Sequence, residues 1–519
     1  MYGRSYGSVL DACASNFADQ EALVQGDVRL SYAEVMDGVR RTGRALLGLG
    51  LAPGDRVAFV MSDSIDLVNM MYGALWAGLT IVPLNAKLQL DDHVYMVKDS
   101  GARALAFNGA TAERGLAILD QVEVEFGIAT DAGDVPEGGH LLADLTAGES
   151  GAAGAPDVDT EAECWIQYTG GTTGFPKGAL HSHRTFLTAL TSCALELDVR
   201  PGERHVHCAP LTHSGLVYFL PVWMRGGTNI LLPGFDPNLL LDTIERERVT
   251  STLMVPTMIY VLLEVPGITD RDLSSLRTIT YGAAPMGKER LEQALETFGP
   301  IFIQAYGQTE APAQITALTK ADHLRARERP EILTSCGRPV VIAEVRIADE
   351  NLEEVPVGEV GEIIVRGPHV TLGYNAKPQE TAETIRDGWL CTGDLGRRDH
   401  EGYVYIVDRT KDMIITGGFN VYPKEVEQVL FSHPAVADVC VIGVPDEKWG
   451  EAVKAVVVAA DGCTPDPAEL IALVKERKSS VMAPKTVDIV DAIPLTSVGK
   501  HDKKALRSQY WSDRERAVN

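Results

Sequence analysis

The 519-residue chain has no CxxC spacing, no signal-like hydrophobic core near its start and no uninterrupted apolar run of membrane-spanning length. Its eight cysteines are scattered, which indicates neither a zinc site nor a disulfide framework and points to a reducing, cytoplasmic setting. The opening residues Met1-Tyr2-Gly3-Arg4-Ser5 lack the apolar segment of a secretion signal. The longest apolar stretch, from about Met70 to Leu84, is broken by glycines, Thr80 and Pro83 and preceded by Asp66 and Asn69. It predicts a buried helix leading into a strand, not an integral membrane segment. Positive charge is scarce as well: 47 Lys and Arg against 72 Asp and Glu give a net charge of −25. That balance argues against nucleic acid and anionic membranes as partners, because both require a positive field. An anionic ligand must instead be held by local donors and a few well-placed bases.

What remains is the composition of a folded protein, 45% hydrophobic and long enough for two or more domains. No internal repeat stands out. Short β-type runs alternate with helix-type stretches. Arg56 to Val60, a helical pattern from Ile65 to Trp76, and Thr80 to Pro83 form one cycle. Asn229 to Leu232, Asn238 to Arg248 and Ser251 to Val255 form another, and Arg277 to Tyr281, Lys288 to Phe298 and Ile301 to Ala305 a third. Alternation of this kind predicts an α/β fold with mainly parallel sheets flanked by helices. From Gly358 the texture becomes β-rich, with Glu362 to Arg366 and Tyr403 to Val407 (Ile406 among them). The final stretch reads as a small α+β unit built on Ala437 to Gly443, Ala452 to Ala459 and a polar helix around Ala468 to Lys478. The junction is expected at Asp408 to Lys411, between a large domain, 1–407, and a small one, 412–519. Glu137 to Pro156, rich in Gly, Ala and acids, is expected to be a surface connection.

One segment is chemically the most informative. Tyr168-Thr169-Gly170-Gly171-Thr172-Thr173-Gly174-Phe175-Pro176-Lys177-Gly178 completes a β-like run that begins at Cys164. Glycine lets backbone N–H groups approach an anion, the threonine hydroxyls add donors and the lysine adds charge, a combination suited to polyphosphate. It is not the Walker loop, in which Gly-Lys is followed by Ser or Thr and a helix. Here Lys177 follows Pro176 and precedes Gly178.

Five further segments follow in order: Pro210 to Gly215, with His213; Gln304-Ala305-Tyr306-Gly307-Gln308-Thr309-Glu310; Cys391-Thr392-Gly393-Asp394; Asp408-Arg409-Thr410-Lys411-Asp412; and Pro494 to Lys500. With the loop, they resemble the adenylate-forming superfamily of acyl-CoA synthetases, luciferases and adenylation domains, across essentially the whole chain. The resemblance implies that a carboxylate attacks the α-phosphorus of ATP. Two like charges at about 4 Å in a poorly solvated site repel by several kcal/mol, so cations and oriented donors are needed.

What the resemblance implies for each residue follows from this chemistry. Thr169, Gly170, Gly171, Thr172, Thr173 and Lys177 would hold the β- and γ-phosphates, and Thr309 the α-phosphate. Glu310 would bind Mg²⁺, a hard cation suited to carboxylate and phosphate oxygens. Tyr306, with Gln304 and Gly307 in its motif, would lie against adenine beside Gly282-Ala283-Ala284. Asp394 would accept both ribose hydroxyls, near Arg409. His213 would stand near the acyl carboxylate, and Lys500 would bridge that carboxylate and the α-phosphate as the main catalytic residue. Taken alone, Lys500 among Lys503 and Lys504 would read as a solvated lysine face, Glu310 as a helix start and Asp394 as a turn residue. The motifs around them carry the functional reading, and none of the three is degenerate, which argues against a non-catalytic relative. His181, His183, His205 and His207 are assigned no function.

Amino-acid-activating members place an aspartate for the substrate ammonium, whereas Pro210 to Leu220 holds no acid. An unpaired buried ammonium is costly, which favours a substrate without an α-amino group. An apolar wall from Gly215 to Leu220 with Tyr281 to Ala284 would suit a fatty, aryl or bulky polycyclic acid. In the family the small domain is a mobile lid that swings about a hinge, here Lys411, and completes a tunnel for the pantetheine of coenzyme A. Gly417 and Gly418, within Thr416 to Pro423, match the tunnel-side loop. One departure is Val481-Met482, where many members carry an aromatic–lysine pair; Lys475, Arg477 and Lys478 are the nearby cations. It keeps open a second acceptor, an acyl-carrier protein or partner enzyme in place of CoA.

Overall fold

The alternating pattern folds as the spacing predicts. Arg56–Val60, Ile65–Trp76 and Thr80–Pro83 are strand, helix and strand, and Ser64 caps the helix by accepting the Leu67 N–H at 3.1 Å. Leu67, Met70, Met71, Tyr72 and Leu75 are fully buried, so the long apolar run belongs to the core. Lys288–Phe298 is a helix within its predicted bounds. The protein is described by a computed structural model covering residues 3–169, 176–417, 419–446, 448–495 and 501–511, apart from the Ser214 side chain. Gly170, Gly171, Thr172, Thr173, Gly418 and Lys500 lie outside the described residues.

The described chain divides into two units: residues 3–169, 176–344 and 365–390 form one, and residues 345–364 with those from 391 onward form the other. In the first unit, a nine-stranded sheet is parallel through Phe302–Gln308, Thr278–Gly282, Ser251–Met254, Arg204–His207, Thr228–Leu231 and Glu21–Gln25, with antiparallel strands at both edges. An eight-stranded sheet places Thr80–Pro83, Arg56–Val60, Ala104–Phe107 and Phe126–Ala129 in parallel. Its other end carries the antiparallel pair Glu163–Tyr168 and Gly178–Ser182, followed by Gly373–Tyr374.

The stretch from Glu137 to Pro156 is more ordered than its composition suggests. It contains the strand His140–Leu141 and the helix Leu142–Thr146. Arg40, Arg41 and Arg44, on the helix Tyr32–Gly48, donate to the carbonyls of Gly151, Glu149 and Ser150. Long-range arginine donors thus satisfy backbone that Gly-rich sequence leaves without a ladder.

In the second unit, Gly450–Ala459 lies between Val436–Asp446 and the parallel strand Thr486–Val490, and also pairs with Ile414–Thr416. Val426 and Leu430 of the helix Pro423–Phe431, and Leu470 and Val474 of Pro467–Arg477, close a core over this sheet. Lys503 pairs with Glu427 at 2.9 Å. Burial opposes its charge, but Glu427, Asp408 and Asp412 outweigh that and hold its pKa above the usual lysine value.

Candidate active site

In open α/β sheets, ligand sites form beyond the carboxyl ends of the strands, and the first unit collects its candidate residues there. Strand Glu163–Tyr168 enters the glycine–threonine loop and Gly178–Ser182 leaves it, in register at Tyr168↔Gly178. The neck is closed by the Thr169 N–H donating to the Lys177 carbonyl at 2.9 Å. Behind it, the Tyr168 hydroxyl donates to Asp99 at 2.8 Å. The Lys177 ammonium lies 5.1 Å from the centre of the Tyr374 ring, close enough for a cation–π contact.

Two other strand ends carry the expected adenine and phosphate residues. Gly282 and Ala305 are in parallel register, so Gly282, Ala283 and Ala284 emerge beside Gln304 and Tyr306. A Cβ at Gly282 would stand 2.3 Å from the Ala305 carbonyl oxygen, which explains glycine at this point of close approach. Residues Gln304 to Glu310 are half-buried, whereas Phe302 and Ile303 are in the core. Thr309 and Glu310 form the turn between Phe302–Gln308 and Ala311–Leu318, so Glu310 does not begin a helix.

That turn is fastened at three points. The His181 ring lies against Trp165 and its Nε2 is 2.8 Å from the Thr309 carbonyl. Burial lowers the His181 pKa to about 4, so the ring is neutral and its Nε2–H is the donor. The Thr371 N–H donates to the Glu310 carbonyl at 2.8 Å, and the Tyr374 hydroxyl donates to Glu310 Oε1 at 2.5 Å. Burial, and then the Glu310 charge, hold the Tyr374 pKa well above the ordinary phenol value, so the hydroxyl keeps its proton. His181 and Tyr374 had no sequence motif to reveal them. Their partners are distant in the chain.

His213 is exposed on the irregular turn Leu211–Gly215, with φ −137° and ψ −108°. Gln167 Nε2 donates to His213 Nδ1 at 3.3 Å, and Asp63 accepts the Leu211 N–H at 3.0 Å. The apolar wall expected after His213 is instead largely core. Leu216, Tyr218, Phe219 and Leu220 are fully buried, Phe219 against Tyr72 and Trp223. Tyr281 is also interior, its hydroxyl 3.0 Å from His323 Nε2. His205 and His207 are buried neutral rings bonded to Ser251 and Asn229.

The second unit carries its own group. Asp394, on Trp389–Arg398, is opposite Arg409 on Val404–Arg409, and Arg409 Nε lies 3.3 Å from Asp394 Oδ1. Gly393 takes φ +71° and donates its N–H to Glu362 at 2.8 Å, while Asp394 N–H donates to Thr392 Oγ1 at 3.1 Å. Ile406 pairs with Gly396 on the same two strands. Lys411 follows in the turn Thr410–Asp412, its pKa lowered by burial and by Arg409. Gly417 has φ +59° and donates to the Trp449 carbonyl at 2.8 Å; a Cβ there would come within 2.5 Å of the indole. Leu495 and His501, which flank the segment holding Lys500, form an antiparallel bridge.

Among the described residues, no three His, Cys, Asp or Glu side chains converge as a metal cage. A lone carboxylate such as Glu310 fits Mg²⁺, which takes one or two carboxylates and completes its shell with phosphate oxygens and water. The donor-rich neck and the open strand ends of the first unit fit the phosphates of a nucleotide.

Comparison with known proteins agrees with this geometry. The AMP-binding enzyme family model matches residues 10–375, and the AMP-binding enzyme C-terminal domain model matches 425–500. A medium/long-chain-fatty-acid–CoA ligase, FadD8 of Mycobacterium tuberculosis, is 42% identical over 99% of this chain and 91% of its own. A feruloyl-CoA synthase from Amycolatopsis is 38% identical over 94% and 96%. The crystal structure of ATP-bound MatB from Rhodopseudomonas palustris superimposes with a TM-score of 0.88 at 30% identity, covering 98% of this chain and 99% of that one. The chain therefore belongs to the AMP-binding enzymes of the adenylate-forming superfamily.

Proposed function

We propose that this protein is an AMP-forming acid–thiol ligase of the cytoplasm. It activates a carboxylic acid without an α-amino group, fatty, aryl or bulky polycyclic, to acyl-AMP with release of pyrophosphate, and then forms the CoA thioester. The observation that carries the reading is the grouping of Lys177 and Glu310 around Tyr374, with Thr309 next to Glu310 in its turn, at strand ends that also bear Gly282 to Ala284 and Tyr306.

In this reading Lys177 and Thr169, with Gly170, Gly171, Thr172 and Thr173, bind the β- and γ-phosphates, and Thr309 donates to the α-phosphate. Tyr306 stacks on adenine, flanked by Gln304, Gly307 and the Gly282 to Ala284 turn. Asp394 accepts the ribose hydroxyls, with Ile406 and Arg409 beside it. Glu310 holds Mg²⁺, which supplies positive charge against the phosphate oxygens. His213 borders the acid, and Lys500 donates to the carboxylate and α-phosphate oxygens as the oxygen–phosphorus bond forms and pyrophosphate leaves. Residues 408–411 act as the hinge between domains 1–407 and 412–519, and Gly417 and Gly418 border the pantetheine arm.

Pyrophosphate release across a carboxylic-acid panel, with and without CoA, is the direct test. Lys500→Ala is expected to lower acid-dependent pyrophosphate release by about 100-fold or more, while thiolysis of preformed acyl-adenylate survives. Undiminished pyrophosphate release would remove Lys500 from the mechanism. A second acceptor, a carrier-protein thiol, is favoured by one observation: Val481 and Met482 pack on the hydrophobic core of the second unit and offer no charge for a CoA phosphate. Adenylate formation without thioester in the CoA arm would select that reading.

A further inference from the structure

Tyr374 touches both ends of the phosphate machinery. Its backbone is fixed by pairing with Ala179 on the strand leaving the loop, and its N–H donates to Thr381 Oγ1 at 2.9 Å. The residue is only 9% exposed. One ring face receives the Lys177 ammonium, while the hydroxyl holds one oxygen of Glu310. The tyrosine arrives from a position 64 residues beyond Glu310.

We propose that Tyr374 is a positioning residue that sets the phosphate-loop lysine and the metal-binding carboxylate at a fixed separation before ATP and Mg²⁺ arrive. The inference rests on the assignment of Glu310 to Mg²⁺ made above. A carboxylate on a free side chain samples several rotamers; one held by a phenol presents its second oxygen in one direction. Outer hydrogen bonds of this type orient metal ligands, and losing one typically weakens metal affinity by roughly 10- to 100-fold. The ring acts on the other partner. A cation held over an aromatic face stays near the loop neck instead of extending into solvent. The hydroxyl therefore governs the metal, and the ring governs the lysine.

The two arms separate by substitution. Tyr374→Phe keeps the ring and removes the hydroxyl; Tyr374→Leu removes both. Mn²⁺ serves as the probe, its binding to the protein with a non-hydrolysable ATP analogue followed by electron paramagnetic resonance. Tyr374→Phe is expected to weaken Mn²⁺ binding by about 10-fold or more and to raise the Mg²⁺ concentration needed for pyrophosphate release. The KM for the carboxylic acid and the thermal midpoint should stay near the parent values. Tyr374→Leu should add a rise in the Kd of the ATP analogue measured without metal, reporting the lysine arm. Unchanged Mn²⁺ affinity in Tyr374→Phe, together with a loss in Glu310→Gln, overturns the positioning role. Unchanged affinity in Glu310→Gln overturns the underlying metal assignment instead.

Discussion

Asp63 shows how a single side chain outside every motif supports the site. It accepts the Leu211 N–H at the start of the turn bearing His213, and burial lifts its pKa to about 7 despite that bond. A raised carboxyl pKa means that the folded protein keeps a proton the unfolded chain has released. Its stabilising contribution is complete below the ordinary aspartate value and is lost as pH rises through about 7. Asp63→Asn keeps the acceptor and removes the charge. Thermal melts should therefore show the variant gaining on the parent between about pH 5 and about pH 8, by no more than about 3 kcal/mol. An equal difference at both pH values would contradict the burial argument. Asp63 was invisible in the sequence, as were His181, Gln167 and Tyr374. Lys177, Glu310 and Asp394 were legible because each sits in a contiguous string whose chemistry is local. Contacts such as Tyr374 on Glu310 depend on strands meeting across the sheet, which no spacing encodes.

At the level of elements, the parallel strands Thr278–Gly282 and Phe302–Gln308 approach so closely at Gly282 and Ala305 that no side chain fits between them. Gly282→Ala places a methyl group against a backbone oxygen, so relief requires the two strand ends to part. A cost of about 1–3 kcal/mol is expected, with a higher KM for ATP in acid-dependent pyrophosphate release and little change in the KM for CoA. Equal changes in both constants would argue against a local effect at the nucleotide. Regular elements were the best-read part of the chain. Lys288–Phe298 matched its predicted bounds because its apolar positions follow helical spacing and Gly299 stops it. The segment from Glu137 to Pro156 is a surface connection within the first unit, as expected, but its local order comes from arginines on another helix and not from its own pattern. Leu216, Tyr218, Phe219 and Leu220, expected on the acyl wall, are interior for a related reason. Apolar residues after His213 can face a ligand or the core, and Tyr72 and Trp223 supply the core.

On the scale of the whole molecule, hydrophobic clusters form within each unit. Trp76, Phe186 and Phe219 belong to one, and Val426, Leu430, Val441 and Val453 to the other. Calorimetry is expected to resolve more than one unfolding transition. Leu430→Ala should lower one of them, at a cost of about 2–5 kcal/mol, and leave the other in place. A single transition shifted as a whole would show that the cores unfold together. The acidic balance of −25 has its own meaning at this scale. Under the proposed function, phosphate would be held against the average field, so affinity would rest on particular groups such as Lys177.

The Gly417–Trp449 contact has an optical consequence. Of six tryptophans, Trp76, Trp165, Trp223 and Trp389 are buried, and Trp511 is half-buried with its indole N–H on the Gly443 carbonyl. Trp449 alone is broadly open to solvent, at 42% exposure, while its carbonyl receives the Gly417 N–H. Acrylamide should therefore quench mainly the emission of Trp449. The unlabelled native protein thus carries a fluorophore packed against Gly417, able to follow that contact in real time as substrates are added.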